Sequence, residues 1–140
     1  MNRNLLLSIV IPAYNRADVV VDSIKALFNQ SLDNKKFEII VVDDCSSDGT
    51  YKSLQKLQAD YSFKLFRNEE NKGPAATRNF GVTQANGAVI LFLDIDIIAT
   101  SNLLEKHYKW HQNNSDKKYA LVGKTTWHSD LNVTPFMRWL

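Results

Sequence analysis

The sequence predicts an α/β fold: a mainly parallel β-sheet with helices on both faces. Three observations carry this. Short apolar runs alternate with stretches whose apolar residues recur at helical spacing, the pattern of successive βαβ units. The runs are dense in Ile, Val and Leu rather than alternating with polar residues, as in strands covered on both faces. Polar and acidic residues collect just after the runs, where open α/β sheets bind ligands.

The elements follow in order. Leu5 to Ile11 is a first buried strand, closed by Pro12, which lacks an N–H and belongs at a strand end. After the loop Ala13-Tyr14-Asn15-Arg16, Val20, Ile24, Leu27 and Phe28 form one apolar helical stripe. Phe37 to Val42 is the second strand and runs into Asp43-Asp44. Cys45 to Thr50 is rich in turn and cap residues, and Ser47 or Asp48 is expected to cap a helix carrying Tyr51, Leu54, Leu57 and Tyr61. Phe63 to Phe66 is a short third strand, and Pro74 suits the first turn of a helix over Ala75 to Gln84. After the turn signal Asn86-Gly87 comes Ala88 to Leu93, read as a strand buried on both faces at the centre of the sheet. Ser101 looks like the cap of a helix over Asn102 to Gln112, and Tyr119 to Val122 is a fifth strand. Thr134-Pro135 is a helix start with only Phe136 to Leu140 left. One unsupported turn is unstable, so the chain is expected to be the front part of a longer protein.

Composition sets wide bounds. The chain has 140 residues, 44% hydrophobic and 23% charged, which suits a single soluble domain. A net charge of +2 gives no ground for a nucleic-acid partner. The lone Cys45 rules out an internal disulfide and fits a reducing compartment. No stretch has the length of a transmembrane helix, and a cytoplasmic protein is expected.

The chemistry points to the ends of the strands. In an extended segment Asp94 and Asp96 point the same way, so both carboxylates converge on one object. Hard oxygen ligands of this kind suit Mg2+ or Mn2+; the plain alternative is a strand end followed by a polar turn. The loop Asn71-Lys72-Gly73, the helix start after it and Arg78 add cationic groups and free N–H donors, a ready anion site. Two unit charges 4 Å apart repel by about 4 kcal/mol at an effective dielectric of about 20. An Asp cluster beside a phosphate thus needs a divalent cation, and Asp96, a metal and a diphosphate form the simplest consistent set. Asp43 reads as a loop support, Asp48 as a helix cap, Cys45 as an inert packing residue, and the i, i+4 pair His107 and His111 as packing rather than ligands.

Ser8 to Asn15, Val41 to Thr50, Asn71 to Asn79 and Leu93 to Asp96 come in the order and spacing of the family 2 glycosyltransferases, which the chain resembles from about Ser8 to Asp96. Gly123 to Trp127 also looks like a segment of polysaccharide-synthesising members. The resemblance implies an inverting enzyme of the GT-A fold, with residues 1–140 as its Rossmann-like, nucleotide-sugar-binding domain and the acceptor-binding part beyond it. It implies transfer from a nucleotide-diphosphate sugar, a UDP-sugar being favoured, to a saccharide or lipid-linked acceptor, in polysaccharide or glycoconjugate synthesis. Such an enzyme would work at the inner face of the membrane, held peripherally by further regions. Pro12, Ala13 and Tyr14 would flank the base, and Asp44 would accept a hydrogen bond from its edge. Gly73 would lie beside the donor with Arg78 near the base or diphosphate. Asp94 and Ile95 would meet the ribose and its surroundings, and Asp96 would bind Mn2+ or Mg2+ on the diphosphate as part of a DXD motif. Ile97 stands where many members have a further Asp.

The general base of this family comes from a later segment. Before Leu140 only His128 and Asp130 lie near the expected place, and neither is assigned. This leaves a second reading, a non-catalytic nucleotide-binding or protein-interaction module. A dinucleotide-binding dehydrogenase is set aside because Pro12-Ala13-Tyr14-Asn15 follows the first strand in place of a Gly-rich turn. A phosphorylated receiver domain would carry acidic residues there too.

Overall fold

Strand alternation decides which side chains enter which layer. In the computed structural model, which describes residues 6–116, 118–127 and 129–130, strand β1 spans Leu7–Ala13. It sends Leu7, Ile9, Ile11 and Ala13 to one face and Val10 to the other. Strand β2 (Phe37–Asp43) repeats the pattern, with Phe37, Ile39 and Val41 on the first face and Ile40 and Val42 on the second. Both faces are apolar because both are covered.

The first face packs on three helices: α1 (Val20–Phe28), α2 (Thr50–Leu57) and α4 (Leu103–Asn113). Their contributions are Val20, Ile24 and Leu27, then Leu54 and Leu57, then Leu104 and Tyr108. Truncating a fully buried leucine such as Leu54 to alanine costs about 2–5 kcal/mol. The second face packs on α3 (Gly73–Thr83). Gly81 permits the close approach: a Cβ there would come within 2.4 Å of Val10 Cγ1.

Strand β3 is Lys64–Arg67 and β4 is Val89–Phe92. The sheet order is β3-β2-β1-β4 and every pairing is parallel. The chain builds outward from β1 through β2 to β3, then returns to pair β4 on the other side of β1. That reversal is a topological switch point, with a crevice at the C-terminal ends of β1 and β4.

A polar clamp at the opposite edge sets the register of β4. Glu38 accepts from Ser8 Oγ at 2.6 Å and from the Asn86 amide at 2.6 Å, and pairs with Lys64 Nζ at 2.9 Å. The Gly87 amide donates to Ser8 Oγ at 2.8 Å. Burial would raise the Glu38 pKa, but these hydrogen bonds and Lys64 outweigh it and lower the pKa to about 2.

Three expectations are corrected. β4 is not central: it is the outermost strand on its side among the described residues, and Phe92 is 49% exposed because the α3 layer lies over β1 and β2. Tyr119 to Val122 is not a strand. No described strand pairs with it, Val122 is exposed, and periodicity cannot tell so short an apolar run from coil. Ser101 does not cap α4; Gln30 does this from a distance, its Oε1 accepting from the Leu104 amide at 3.0 Å. Asp48 does serve α2, accepting from the Thr50 amide at 2.9 Å. The expected helix start at Thr134-Pro135, the beginning of the first strand at Leu5, and His128 lie outside the described residues.

Candidate functional site

Because the strands are parallel, the loops after β1, β2 and β4 emerge on one side of the sheet, and hydrogen bonds staple the first two together. Asn15, at φ +49°, donates its amide to Ser46 Oγ at 3.0 Å and accepts from the Ser47 amide at 2.9 Å. Asn tolerates this left-handed conformation better than most residues. The Arg16 amide donates to Thr50 Oγ1 at 2.8 Å, and the Ala17 amide to Asp48 Oδ2 at 2.9 Å. These bonds leave Tyr14 standing out, 48% exposed. Ala13 is fully buried, and its carbonyl accepts from the Asp44 amide at 2.8 Å. Any ligand contact at Ala13 would therefore be through backbone. Pro12 is half-buried.

The neighbouring carboxylates of Asp43 and Asp44 do different work. Asp43 is fully buried, accepts from the Ser46 amide at 3.1 Å and lies 3.4 Å from Arg67 Nε. It supports the loop, as read from the sequence. Arg67 also donates to the Ser46 carbonyl at 3.0 Å and stacks over Tyr51. Asp44, almost equally buried, accepts from Asn68 Nδ2 at 2.7 Å and from the amides of Lys72 and Gly73, both at 2.9 Å. Burial raises its pKa, but the hydrogen bonds from Lys72, Asn68, Thr77 and Gly73 outweigh this and hold it below the usual carboxylate value.

That arrangement changes the expected anion site at the start of α3. Its first amides do not await a phosphate; Asp44 takes them, as an acid at a helix N-terminus should. The cations nearest the acidic loop after β4 are arginines instead. Arg78, on α3, forms an ion pair with Asp94. Arg16, after β1, places Nε 3.5 Å from Asp96 Oδ2. Sequence reasoning missed Arg16, Arg67 and Asn68. A basic residue directly after Tyr14-Asn15, opposite an acidic loop, was the available signal for the first.

The pairing geometry of Asp94 and Asp96 also differs from expectation. β4 ends at Phe92, and residues 94–97 form a turn in which the Ile97 amide donates to the Asp94 carbonyl at 3.1 Å. Ile95 anchors that turn, being only 5% exposed and packed in the core, so a ligand could meet only its backbone. Asp94 and Asp96 stay exposed on either side of it, each held by a different arginine.

A divalent cation fits this donor set in one way only. Among the described residues no group of three or more His, Cys, Asp or Glu side chains could hold an ion alone. Asp96 does present an exposed hard-oxygen ligand, which suits an ion that takes one or two carboxylates and completes its shell with phosphates and water. His107 and His111 stack with ring centroids 6.3 Å apart, and His107 is buried. They read as packing.

A cavity of about 1660 Å³ lies along β4 and α4, with Arg78, Asp94, His107 and residues 119–125 among its walls. It exceeds the roughly 300–1,000 Å³ of most small-ligand pockets. Tyr14, Asp44 and Asp96 are not in its lining, so the predicted residues share the sheet's C-terminal side rather than one enclosed pocket. Among the described residues no helix is long and apolar enough to cross a membrane.

Known proteins share these features. The chain is 40% identical over 106 residues to the uncharacterized glycosyltransferase YfnE of Bacillus subtilis, covering 76% of this chain and 27% of that one. The structure of residues 1–349 of TarS from Staphylococcus aureus in complex with UDP-GlcNAc superposes with a TM-score of 0.73 at 28% identity, over 79% of this chain and 32% of that one. The mannosyltransferase PcManGT from Pyrobaculum calidifontis, solved with GDP-Man and Mn2+, gives a TM-score of 0.74 at 23% identity over 79% of this chain and 33% of that one, a likeness of fold. The chain therefore spans only about a third or less of these relatives. The profile of "Glycosyl transferase family 2" matches residues 8–132, which takes in every loop of the site and all four strands except Leu7. With its parallel sheet of GT-A type and its acidic switch-point loop, the chain belongs to glycosyl transferase family 2.

Proposed function

We propose that this chain is the donor-binding part of a glycosyltransferase that moves a sugar from a nucleotide-diphosphate sugar to an acceptor hydroxyl with inversion. One observation carries the reading: at the switch point of the sheet, the exposed carboxylates of Asp94 and Asp96 are each paired with an arginine from a different loop or helix. Carboxylates for a ribose and a cation, beside guanidinium groups for phosphate, are what a nucleotide diphosphate requires. The UDP-GlcNAc bound by TarS supports a UDP-sugar as donor. Its name, a poly(ribitol-phosphate) β-N-acetylglucosaminyltransferase, supports a role in polysaccharide or glycoconjugate synthesis.

The roles follow from position. Tyr14, exposed above the Asn15 turn, stacks on the base between Pro12 and the backbone of Ala13. Asp44 holds Lys72 and Gly73 in place and offers the base edge what acceptor capacity its three bonds leave. Asp94 meets the ribose hydroxyls beside Ile95, Arg78 turns toward the diphosphate, and Asp96 supplies the protein's carboxylate to a Mn2+ or Mg2+ ion. When bound, that ion acts as a Lewis acid on the diphosphate oxygens. In the reaction the acceptor oxygen bonds to the anomeric carbon from the opposite face. The bond to the diphosphate breaks with its electron pair leaving on oxygen, and a carboxylate base supplied beyond the matched loops takes the acceptor's proton.

Calorimetry with UDP and Mn2+ on the wild type and Asp96→Ala tests this. Metal-dependent UDP binding lost in the variant is expected. Equal affinity in both proteins, or binding indifferent to metal, refutes the site.

A further inference from the structure

We infer that Arg16 is the protein's own counter-charge to Asp96, a guanidinium that competes with a divalent cation for that carboxylate and serves the donor's diphosphate when displaced. This rests on the donor-site reading above and adds to it a residue and an exchange.

The argument begins with topology. Arg16 follows β1 and Asp96 follows β4, the two strands between which the sheet order reverses. Their contact, Nε to Oδ2 at 3.5 Å, is therefore a bridge across the crevice mouth rather than a local pair. Next comes the contrast between backbone and side chain. The Arg16 amide is fixed by Thr50 Oγ1 at 2.8 Å, and its carbonyl accepts from the Val20 amide at 3.0 Å. The guanidinium has one further hydrogen bond, Nη1 to the Asn15 carbonyl at 3.0 Å, and the side chain is 49% exposed. The base of the side chain is held while its tip is free to change partners.

Charge decides which partner wins. An exposed ion pair at this separation contributes little, and a divalent cation carries twice the charge of a guanidinium. Asp96 thus exchanges Arg16 for the cation at small cost. Arg16 would then stand beside an ion that takes phosphate oxygens and water as further ligands, and its planar fork suits bidentate phosphate recognition. Arg78 does not duplicate this role, because it sits on α3 and engages Asp94.

Two affinities moving in opposite directions provide the test. Mn2+ alone would be titrated into the purified wild type, Arg16→Gln, Arg16→Lys and Asp96→Ala, with free Mn2+ followed by its electron paramagnetic resonance signal. UDP would then be titrated at saturating Mn2+ by calorimetry. Arg16→Gln should bind Mn2+ about two- to fivefold more tightly, the range of one exposed ion pair. It should bind UDP about tenfold or more weakly, as for a lost charge-assisted bond. Arg16→Lys, which keeps the charge and loses the fork, should match wild type with Mn2+ and lie between the two with UDP. A merely structural role would weaken both affinities together. Mn2+ affinity in Arg16→Gln no tighter than in wild type, or unchanged UDP affinity, overturns the inference. If Asp96→Ala still loses metal-dependent UDP binding, the donor site stands and only the role of Arg16 falls. If wild-type UDP binding ignores both Mn2+ and Asp96, both fall.

Discussion

The Gly73 amide donates to Asp44 Oδ2 at 2.9 Å, joining the first residue of α3 to the end of β2 across 29 positions of sequence. A carboxylate delivered by a strand thus does what a local cap residue does elsewhere; the cap position itself, Lys72, supplies no side-chain hydrogen bond. The consequence reaches the site. With its first amides engaged, α3 presents Arg78 rather than its N-terminus to the acidic loop after β4.

Asp44→Ala should therefore be costly for stability, not only for ligand binding. It removes the acceptor of the Lys72 amide, while the Gly73 amide keeps Asn71 Oδ1 and Asn68 Nδ2 keeps Thr77 Oγ1. One amide left without its partner and two weakened bonds cost about 1–3 kcal/mol, and Asp44→Asn, which keeps one acceptor, should lose less. Urea unfolding measures both. An alanine variant within about 0.5 kcal/mol of wild type would show that water replaces the carboxylate freely.

The same carboxylate and Glu38 give the protein a defined acid limb. Both have folded-state pKa values below their ordinary ones, Glu38 down to about 2 from 4.5. A depressed folded pKa means that the unfolded chain binds the proton first, so the stabilisation is complete above the unfolded pKa and is lost as pH falls through the folded one. For Glu38 the window runs from 4.5 down to about 2, and about 3 kcal/mol is at stake. Glu38→Gln should be less stable than wild type at pH 7, and the difference should shrink as pH drops through that window. A difference that stays constant with pH would assign the loss to packing.

Which of these relationships the sequence discloses depends on how local their physics is. β1, β2 and α1 were legible because each buries a regular stripe, and Asp48 because its partner, Thr50, lies two residues away. Asp44 read as a strand-end acid at the ligand edge rather than as the partner of α3, and Glu38 carried no local signal, since their partners arrive from 28 and 48 residues downstream. The two-carboxylate motif was legible as a pair of exposed acids at the sheet's C-terminal side and misjudged as geometry. Period-two reasoning holds within a strand, and β4 ends at Phe92, before Asp94. Ile95, the apolar residue between the acids, is the core anchor that bends the loop. Arg16 required the sheet order, because only the reversal at β1 brings its loop to Asp96, whereas Arg78 was legible as a site cation but not as the partner of Asp94.

Two glycines separate space from backbone conformation. Gly87→Ala places a Cβ 2.5 Å from Ser8 Oγ and 2.7 Å from the Leu6 carbonyl and the Ser8 amide. Two of these three are backbone atoms of or beside β1, so β4 must shift, at a cost of about 2–4 kcal/mol. Gly73→Ala meets nothing within 4 Å but must hold φ at +80°, which costs about 1–2 kcal/mol. Thermal unfolding should rank Gly87→Ala below Gly73→Ala. UDP binding by whatever folded Gly87→Ala remains should also be weaker, because β4 carries the Asp94–Ile97 turn. The reverse ranking would mean that β1 and β4 separate easily.

The pair Arg78–Asp94 should affect binding far more than folding. Asp94 is 57% and Arg78 31% exposed at the side chain, so water screens the pair and Arg78→Ala should change stability by no more than about 1 kcal/mol. In the proposed site each has its own ligand contact: Arg78 with the diphosphate and Asp94 with the ribose. The guanidinium also fixes the orientation of the carboxylate. Arg78→Ala should weaken UDP binding about tenfold or more, the loss of one charge-assisted hydrogen bond. The double variant with Asp94→Ala should lose less than the sum of the two single losses, because an unanchored Asp94 has already lost part of its contact. Calorimetry with UDP and Mn2+ on the four proteins closes the cycle. Fully additive losses would show that the two residues hold the donor independently and that their ion pair has no part in orienting Asp94.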